Sequence, residues 1–307
     1  MSSQQEIPTI LVTGASGQLA TVYLEELLAL QSQYPHKLIA ASRTTEKLAP
    51  LQEKGVELRK LDAYDPSTFE SAFHGVDRVI LVSLDTPGSK RFDGHKNLVD
   101  SAIKAGVKHI LYTSAPVPLP GVPVYAEHFL TEAYLAVSVP SHIGYTFLRN
   151  TLYAETLLYS VPGAIAAGGK WILSTANRPR SYVTRRDLGI AGALAATIKY
   201  TTDSARHFYE LTAAETLTGD QAAKILSEAL GTAIETTFVS TEAHAQVLAA
   251  FLPPHYIDGF TSIETHTREG YDSVVTNHFA SLVGRDPVPL SSWLKDNKAL
   301  FLTPPKI

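Results

Sequence analysis

Short apolar, β-branched runs alternate with amphipathic stretches through the first half of the chain. In the amphipathic stretches, apolar side chains recur at helical spacing, as Leu19, Tyr23, Leu27 and Leu30 do. Six such runs with helices between them predict an α/β fold with a parallel, doubly wound sheet. The carboxyl ends of its strands share one edge, where ligands bind. The predicted strands cover residues 9–13, 38–42, 56–60, 78–82, 109–113 and 145–149.

The strict alternation ends after Asn150, and the second half of the chain has a mixed pattern. We expect Thr218 to cap the N-terminus of one later helix and Gly231 to end it. The expected elements are short strands at 171–174 and 207–211, helices at 186–199 and 218–230, and a mostly helical remainder at 241–301.

The first predicted strand runs directly into a glycine-rich turn, which reads Thr13-Gly14-Ala15-Ser16-Gly17-Gln18-Leu19-Ala20. Gly14 can turn sharply because it lacks a Cβ, and Gly17 lets the backbone approach a pyrophosphate closely. A helix begins there, so its free N–H groups and its dipole favour an anion. The strand before this Gly-x-x-Gly-x-x-Ala turn and the helix after it predict a Rossmann-type dinucleotide site.

The second predicted strand ends at Ser42 and Arg43, where NAD-binding domains usually carry a carboxylate for the ribose 2′-hydroxyl. A carboxylate would repel a 2′-phosphate, whereas the Arg43 guanidinium can bind one with two hydrogen bonds. We therefore expect NADPH rather than NADH, unless Arg43 is only a solvated loop charge. After the third strand, Asp62 can accept from the adenine amino group or can cap a helix before Pro66.

Composition narrows the class of protein and its partners. Of the 307 residues, 45% are hydrophobic and 18% are charged, which excludes a disordered chain and supports a well-buried core. The formal charge of −4 at pH 7 predicts no surface for nucleic acid or for anionic lipid. With 0 cysteines, the chain has no disulfide, no thiolate nucleophile and no cysteine metal site.

The apolar runs indicate a soluble protein. Residues 10–12 are too short a run for the core of a signal peptide, and residues 188–198 fall short of the ~20 residues that span a bilayer. The 11 histidines lack the spacing of metal ligands. We expect a cytoplasmic protein without a bound metal.

The glycine turn and several later segments together resemble the NmrA-like group of atypical short-chain dehydrogenases/reductases. Within that group, the likeness is to NAD(P)H:quinone oxidoreductases and triphenylmethane reductases. It extends along essentially the whole chain. The segments that carry it are residues 13–19, 105–114, 127–132 and 145–150, with weaker likeness at 184–187, 208–211 and 282–285.

The resemblance implies two domains, with NADPH along the strand ends and an electron acceptor between the domains. We predict a NAD(P)-binding Rossmann domain over residues 1–150 and a smaller, mixed α/β acceptor-binding portion over 151–307. Residues 181–212 are expected to pack back onto the first domain. Thr151 stands where relatives often carry glycine, which affects the acceptor pocket. The cofactor-binding residues implied by position are Thr13, Gly14, Ser16, Gly17, Gln18, Leu19, Arg43, Asp62, Ser83, Leu84, Thr113, Ser114 and His128.

One departure from ordinary short-chain dehydrogenases constrains the reaction. Those enzymes use a Tyr-x-x-x-Lys pair after the fifth strand, whereas this chain has Tyr125 with Phe129 in the lysine position. Hydride delivered to a ketone leaves an alkoxide, which needs an acid as it forms. Hydride delivered to a quinone leaves a phenolate-like oxygen, whose conjugate acid has a pKa of about 10. The sequence therefore favours quinones or similar conjugated acceptors.

Three residues are candidates for contact with the reacting groups, each with a structural alternative. His128 can hydrogen-bond the nicotinamide ribose or protonate a reduced acceptor, or can form a helix contact together with Glu132. Asn150 can donate to an acceptor oxygen and Tyr153 can stack on a flat ring, or the two can be a cap and a packing aromatic.

Two further segments have an expected place. The proline-rich residues 115–124 are expected to wall the acceptor site with a stiff backbone. Arg178, Arg180, Arg185 and Arg186 are best explained as a solvated charged surface, although they can also attract anionic substrates.

The leading function is therefore NADPH-dependent reduction of a small quinone-like acceptor. The alternative is a non-catalytic redox sensor, as NmrA-like regulators imply, which binds the dinucleotide and changes its affinity for a transcription factor or another protein. An ene reductase of the isoflavone-reductase type would want a lysine near His128, and the chain has none there. The sequence is also compatible with a homodimer.

Overall fold

The computed structural model describes residues 7–86, 88–198, 205–250 and 252–302. Most of the strands in these ranges are four to seven residues long. They are β1 (Thr9–Val12), β2 (Lys37–Ser42), β3 (Glu57–Lys60), β4 (Arg78–Leu81), β5 (His109–Ser114), β6 (Gly144–Asn150), β7 (Leu152–Tyr153), β8 (Lys170–Leu173), β9 (Tyr182–Val183), β10 (Arg206–Leu211) and β11 (Glu235–Phe238).

The helices of the described ranges alternate with the strands up to β6 and become denser towards the C-terminal end. They are α1 (Gln18–Leu30), α2 (Ala49–Gln52), α3 (Phe69–Phe73), α4 (Ser89–Lys104), α5 (Pro123–Ser138), α6 (Val161–Ala166), α7 (Arg185–Thr197), α8 (Gly219–Leu230), α9 (Thr241–Leu248), α10 (Pro254–Arg268), α11 (His278–Val283), α12 (Leu290–Asp296) and α13 (Lys298–Leu302).

Seven strands form the main sheet, in the order β10-β6-β5-β4-β1-β2-β3. The pairs from β3 to β6 are all parallel, and β1, β4 and β5 are almost entirely buried. This confirms the α/β, Rossmann-type prediction and the six predicted strands. The strand order reverses between β1 and β4, which is the switch point where such sheets bind ligands.

The strand predicted at 207–211 is β10, and it joins the main sheet beside β6 as the seventh strand. The Tyr145 N–H donates to the Ala205 carbonyl and the Thr151 N–H to the Leu211 carbonyl, so the two strands run in the same direction. The helix predicted at 186–199 is α7, which ends at Thr197, and residue 199 lies outside the described ranges. Sequence periodicity did not predict the short strands β7, β9 and β11. β11 pairs in parallel with β8, and β7 pairs in parallel with β9, so these strands form two small sheets.

The chain divides into two compact units, each built from three segments. The first unit comprises the described residues of Met1–Ser114, Glu127–Arg149 and Leu188–Tyr209. The second unit comprises those of Ala115–Ala126, Asn150–Asp187 and Glu210–Ile307. No helix of the described residues is long and apolar enough to cross a membrane.

In the first unit, α7 packs tightly on α1 through two glycines. A Cβ at Gly192 would overlap the ring of Tyr23, and a Cβ at Gly189 would overlap the side chain of Val22. Tyr23 has no exposed surface, so its ring cannot move towards solvent to make room. This contact explains why the chain returns to the first unit at residue 188.

In the second unit, the core contains Trp171, Leu226 and Leu294 among others. The predicted start of α8 is confirmed, because the Thr218 hydroxyl accepts from the Gln221 N–H and the Gln221 side chain accepts from the Thr218 N–H. Gly231 ends this helix in the left-handed conformation, as expected.

Candidate functional site

A cavity of about 190 Å³ lies in the first unit, where β1, β2 and β4 end. Its wall mixes backbone from the glycine turn with polar side chains from the loops after these strands. Eight of the predicted cofactor residues line it, namely Thr13, Gly14, Ser16, Gly17, Arg43, Asp62, Ser83 and Leu84.

The glycine turn has a shape that suits a phosphate group. Gly14 has a φ of +61°, which side-chain-bearing residues rarely adopt, and a Cβ at Gly17 would lie 3.1 Å from the Gly14 carbonyl oxygen. Gly17 is the N-cap of α1, no side chain caps this end of the helix, and its first turn has no acidic residue. The backbone N–H groups of that turn therefore remain open to an anion. Gln18 and Leu19 are the first two residues of α1 but do not line the cavity.

Arg43 and Asp62 contribute the charged side chains that sequence analysis expected. Arg43 is exposed in the cavity wall, and among the described residues its guanidinium has no ion pair and no hydrogen bond. Asp62 Oδ1 accepts from the Tyr64 N–H at 3.0 Å, so this carboxylate shapes the loop that forms the wall. The cap of the short helix Pro66–Thr68 is Asp65, not Asp62, which rules out the capping alternative.

Two threonines at the ends of β1 and β5 hold the loop that follows β4. Thr13 Oγ1 accepts from the Val82 N–H at 3.0 Å, and Thr113 Oγ1 accepts from the Ser83 N–H at 2.7 Å. Thr113 therefore supports the cavity wall through Ser83. The Ser114 hydroxyl is buried and lacks a hydrogen-bond partner among the described residues, so a bound ligand would be able to satisfy it.

His128 lies on α5 and is 8% exposed. Its Nδ1 is 2.8 Å from the hydroxyl of Tyr112, a residue that sequence analysis did not single out. Burial lowers the pKa of His128 to about 3, and the positive charge of Arg91 acts in the same direction. Glu132 does not pair with His128, because it binds Arg149 through two short hydrogen bonds of 2.9 and 2.6 Å.

Asn150 and Tyr153 belong to the second unit. Both polar atoms of the Asn150 amide are buried without a hydrogen-bond partner in the part of the chain that the structure describes. Tyr153 is in the short strand β7 rather than on a helix, and the Arg185 guanidinium lies 5.0 Å from its ring centroid. Burial raises the pKa of the Tyr153 hydroxyl.

Tyr125 occupies the position of the catalytic tyrosine of short-chain dehydrogenases, in the first turn of α5. Its ring stacks on the imidazole of His266, in the second unit, at a centroid distance of 3.6 Å. Burial raises the pKa of the Tyr125 hydroxyl well above its usual value, and the negative charge of Asp272 adds to this. Phe129 follows one turn later and offers no charge.

The expected solvated arginine surface is wrong for Arg180, which is 5% exposed. Its Nη2 lies 2.6 Å from Glu264 Oε1, and Glu264 Oε2 accepts from the Ser174 N–H at 2.8 Å. The spacing of arginines along the chain does not reveal this partner, because Glu264 is 84 residues away.

The fold and the glycine turn define a dinucleotide-binding α/β protein of the Rossmann type. Residues 6–282 match the model of the NmrA-like family, and the chain belongs to that family. No group of three or more His, Asp or Glu side chains among the described residues is placed to hold a metal ion.

Three comparisons, with two known proteins, show what this chain is similar to. It is 34% identical over 190 residues to quinone oxidoreductase 2 of Escherichia coli, and this match covers 60% of the chain and 62% of that protein. The solved structure of Citrobacter sp. triphenylmethane reductase complexed with NADP(H) superposes with a TM-score of 0.83 at 30% identity, covering 94% of this chain and 99% of that one. The Escherichia coli NADPH-dependent quinone oxidoreductase complexed with NADPH also gives a TM-score of 0.83, at 28% identity and with coverage of 94% and 99%.

Proposed function

We propose that this protein is an NADPH-dependent oxidoreductase that reduces quinones or similar conjugated acceptors. The observation that carries the proposal is that the glycine turn and Arg43 line the same cavity. A quinone oxidoreductase and a triphenylmethane reductase among its relatives support the choice of acceptor class.

The residues that line the cavity fit NADPH by shape and by charge. Gly14 and Gly17 leave the N-terminus of α1 open for the pyrophosphate. Arg43 is the proposed ligand of the 2′-phosphate, because a guanidinium forms two charge-assisted hydrogen bonds with such a group. Ser83 and Leu84 are the proposed contacts of the adenosine ribose. Bound NADPH supplies a hydride, and the role of the chain is to bind and orient it.

The proposed nicotinamide end involves Thr113, Ser114 and His128. Ser114 has a buried hydroxyl without a partner, and His128 Nε2 makes no hydrogen bond within the described residues. Both groups are therefore available to polar atoms of a ligand. With its pKa lowered to about 3, His128 is neutral at physiological pH and acts as a hydrogen-bonding group rather than as a strong acid.

The acceptor class follows from the absence of a lysine-assisted acid. Tyr125 packs its ring against His266, burial holds the pKa of its hydroxyl high, and Phe129 stands in the lysine position. An acceptor that leaves a phenolate-like oxygen, with a conjugate-acid pKa of about 10, tolerates this arrangement better than a ketone. We propose Asn150 as a donor to the acceptor oxygen and Tyr153 as a ring that contacts it.

A panel assay tests the function. Purified protein is mixed with NADPH and with benzoquinones, naphthoquinones, cationic dyes and aliphatic aldehydes, and the loss of NADPH absorbance is followed. We expect oxidation that depends on the conjugated acceptors and little oxidation with the aldehydes. Failure with every conjugated acceptor would reject the proposal. Tight NADPH binding without any turnover would favour the redox-sensor alternative instead.

A further inference from the structure

A buried network of polar groups lies between the wall of the nucleotide cavity and His128. It involves the backbone of Leu84, His95 on α4, Tyr112 on β5, and Thr131 on α5. His95, Tyr112 and Thr131 are each no more than 1% exposed. Buried polar groups of this kind are normally paired, so each hydrogen in the network is expected to point to an acceptor.

The direction of the first hydrogen bond is fixed by a backbone group. The Leu84 N–H can only donate, and it lies 3.0 Å from His95 Nε2, which must accept. His95 is therefore neutral and carries its hydrogen on Nδ1, which donates to Thr131 Oγ1 at 2.9 Å. Thr131 in turn donates to the Glu127 carbonyl at 2.8 Å.

This arrangement removes one of the acceptors near the Tyr112 hydroxyl. Tyr112 Oη lies 3.5 Å from His95 Nδ1, but that nitrogen carries a hydrogen and cannot accept. The shorter contact is with His128 Nδ1 at 2.8 Å. Burial raises the pKa of the Tyr112 hydroxyl, so the phenol keeps its hydrogen. The Ser83 and Thr131 hydroxyls also lie near this phenol, and the short 2.8 Å contact favours His128 Nδ1 as the acceptor of its hydrogen. A neutral His128 must then carry its own hydrogen on Nε2.

The charged groups around His128 are already paired. On α5 itself, Glu127 is 2.9 Å from Arg91 of α4, and Glu132 is 2.6 Å from Arg149 of β6. Neither carboxylate is free to stabilise an imidazolium. The Tyr112 ring of β5 lies 5.8 Å from the His128 ring, and the His95 ring of α4 packs edge-on against Tyr112 at 5.2 Å. Both are uncharged in this arrangement.

We propose that Tyr112 and His95 are positioning residues that hold His128 as a neutral imidazole with its hydrogen on Nε2, ready to donate to a ligand oxygen. This inference rests on the proposed function for its role in turnover, whereas the hydrogen positions are argued from the network and do not depend on turnover. The network also includes the backbone N–H of Leu84, which lines the nucleotide cavity.

Nitrogen NMR on the 307-residue chain tests the hydrogen positions without any turnover. The protein is labelled with ¹⁵N-histidine, and the signals of His128 are identified by their loss in His128→Gln. We expect the neutral, Nε2-protonated pattern throughout pH 5.5 to 8.5. Protonation on Nδ1, or a titration within that range, would overturn the inference. A chain that reduces no acceptor but shows the expected pattern would remove the proposed function and leave this inference standing.

Tyr112→Phe deletes only the hydroxyl and tests the positioning role. We expect mixed His128 tautomers, a fall in kcat of about three- to tenfold, as for the loss of one neutral hydrogen bond, and a new pH dependence of kcat between pH 5.5 and 7.5. The KM for NADPH should change by less than kcat does. The matched control is Tyr23→Phe, an equally buried tyrosine of the first unit, which should leave the pH profile flat. An unchanged His128 tautomer in Tyr112→Phe would refute the role of Tyr112.

Discussion

The phenol ring of Tyr125 lies flat against the imidazole of His266, with their planes 2° from parallel. The His266 ring is held on both sides, because Nδ1 is 2.8 Å from Asp272 Oδ1 and Nε2 is 3.2 Å from the Val117 carbonyl oxygen. Val117 has a φ of +40°, an unfavourable conformation for a β-branched residue. The buried His266–Asp272 pair thus fixes a strained point of the proline-rich loop predicted to wall the acceptor site.

Asp272→Asn should therefore destabilise the protein substantially. Asp272 is 3% exposed and also accepts from the Thr267 hydroxyl at 2.5 Å. Asparagine keeps only one acceptor oxygen, so its NH2 group would face one of the two buried donors, and the charge of the pair would be lost. We expect the free energy of unfolding to fall by about 3–5 kcal/mol, as for other broken buried pairs. Urea denaturation followed by circular dichroism measures the change.

Glu57→Gln is the matched control for this prediction. Its carboxylate pairs with Arg59 at 2.7 Å, but the Glu57 side chain is 59% exposed. An exposed pair contributes about 0–1 kcal/mol, so this variant should unfold almost as the parent does. Equal losses of unfolding free energy in the two variants would show that the buried Asp272 pair stabilises the protein no more than an exposed pair does.

Arg43→Ala should weaken the binding of NADPH and leave the binding of NADH nearly unchanged. Loss of a charge-assisted hydrogen-bond pair to the 2′-phosphate is expected to raise the Kd for NADPH at least about tenfold. Isothermal titration calorimetry with both cofactors measures this difference. Lys47→Ala removes a nearby exposed charge that does not line the cavity and should affect neither cofactor. Equal losses for NADPH and NADH in Arg43→Ala would show that Arg43 does not recognise the 2′-phosphate.

Gly192→Ala should destabilise the first unit by overpacking. The added methyl group would overlap the buried ring of Tyr23, and such overpacking costs about 1–3 kcal/mol or more. Gly163→Ala is expected to change the stability in the opposite direction, because this glycine is exposed on α6 and nothing lies within 4 Å of an added Cβ. There, alanine should stabilise the helix by up to about 1 kcal/mol. Thermal melts of both variants compare the two signs directly, and a stabilised Gly192→Ala would contradict the packing of α7 on α1.

Stability should fall as the pH is lowered from about 6.5 towards 4. Burial lowers the pKa of His109 and of His128 to about 3, and it lowers that of His95 well below the ordinary 6.5. Between the ordinary histidine pKa of 6.5 and these lowered pKa values, the unfolded chain binds protons that the folded chain does not, so acid favours unfolding. Each such histidine contributes a slope of about 1.4 kcal/mol per pH unit.

His109→Asn should reduce that slope by about one proton, because the variant has one buried histidine fewer. The readout is the dependence of the unfolding free energy on pH, measured by urea denaturation at several pH values, rather than the stability at any one pH. A variant with the same slope as the parent would show that His109 does not resist protonation in the folded protein.

The sheet and the glycine turn could be predicted because their signals are local. β-branched runs predict the six strands, and helical spacing predicts the helices between them. The turn from Gly14 to Gly17 can be recognised because it follows a strand and precedes a helix. The cofactor cavity collects eight of the predicted residues, because the ends of parallel strands meet at one edge.

The remaining features depend on partners that are distant in the sequence. Tyr112 reads as an ordinary buried strand residue until α5 brings His128 within 2.8 Å of its hydroxyl. Arg180 reads as a surface charge until α10 supplies Glu264. Periodicity shows which face of a helix or strand is exposed to water, and it cannot identify which side chain another element will place beside that helix or strand.

The first unit is completed late in the order of synthesis. Its edge strand β10 and the part of α7 that packs on Tyr23 come from residues beyond 187, after the ribosome has passed a long segment of the second unit. Until then β6 presents an unpaired edge, a surface prone to wrong strand pairing. The edge of β6 in the nascent chain therefore stays open until the residues of β10 have been synthesised.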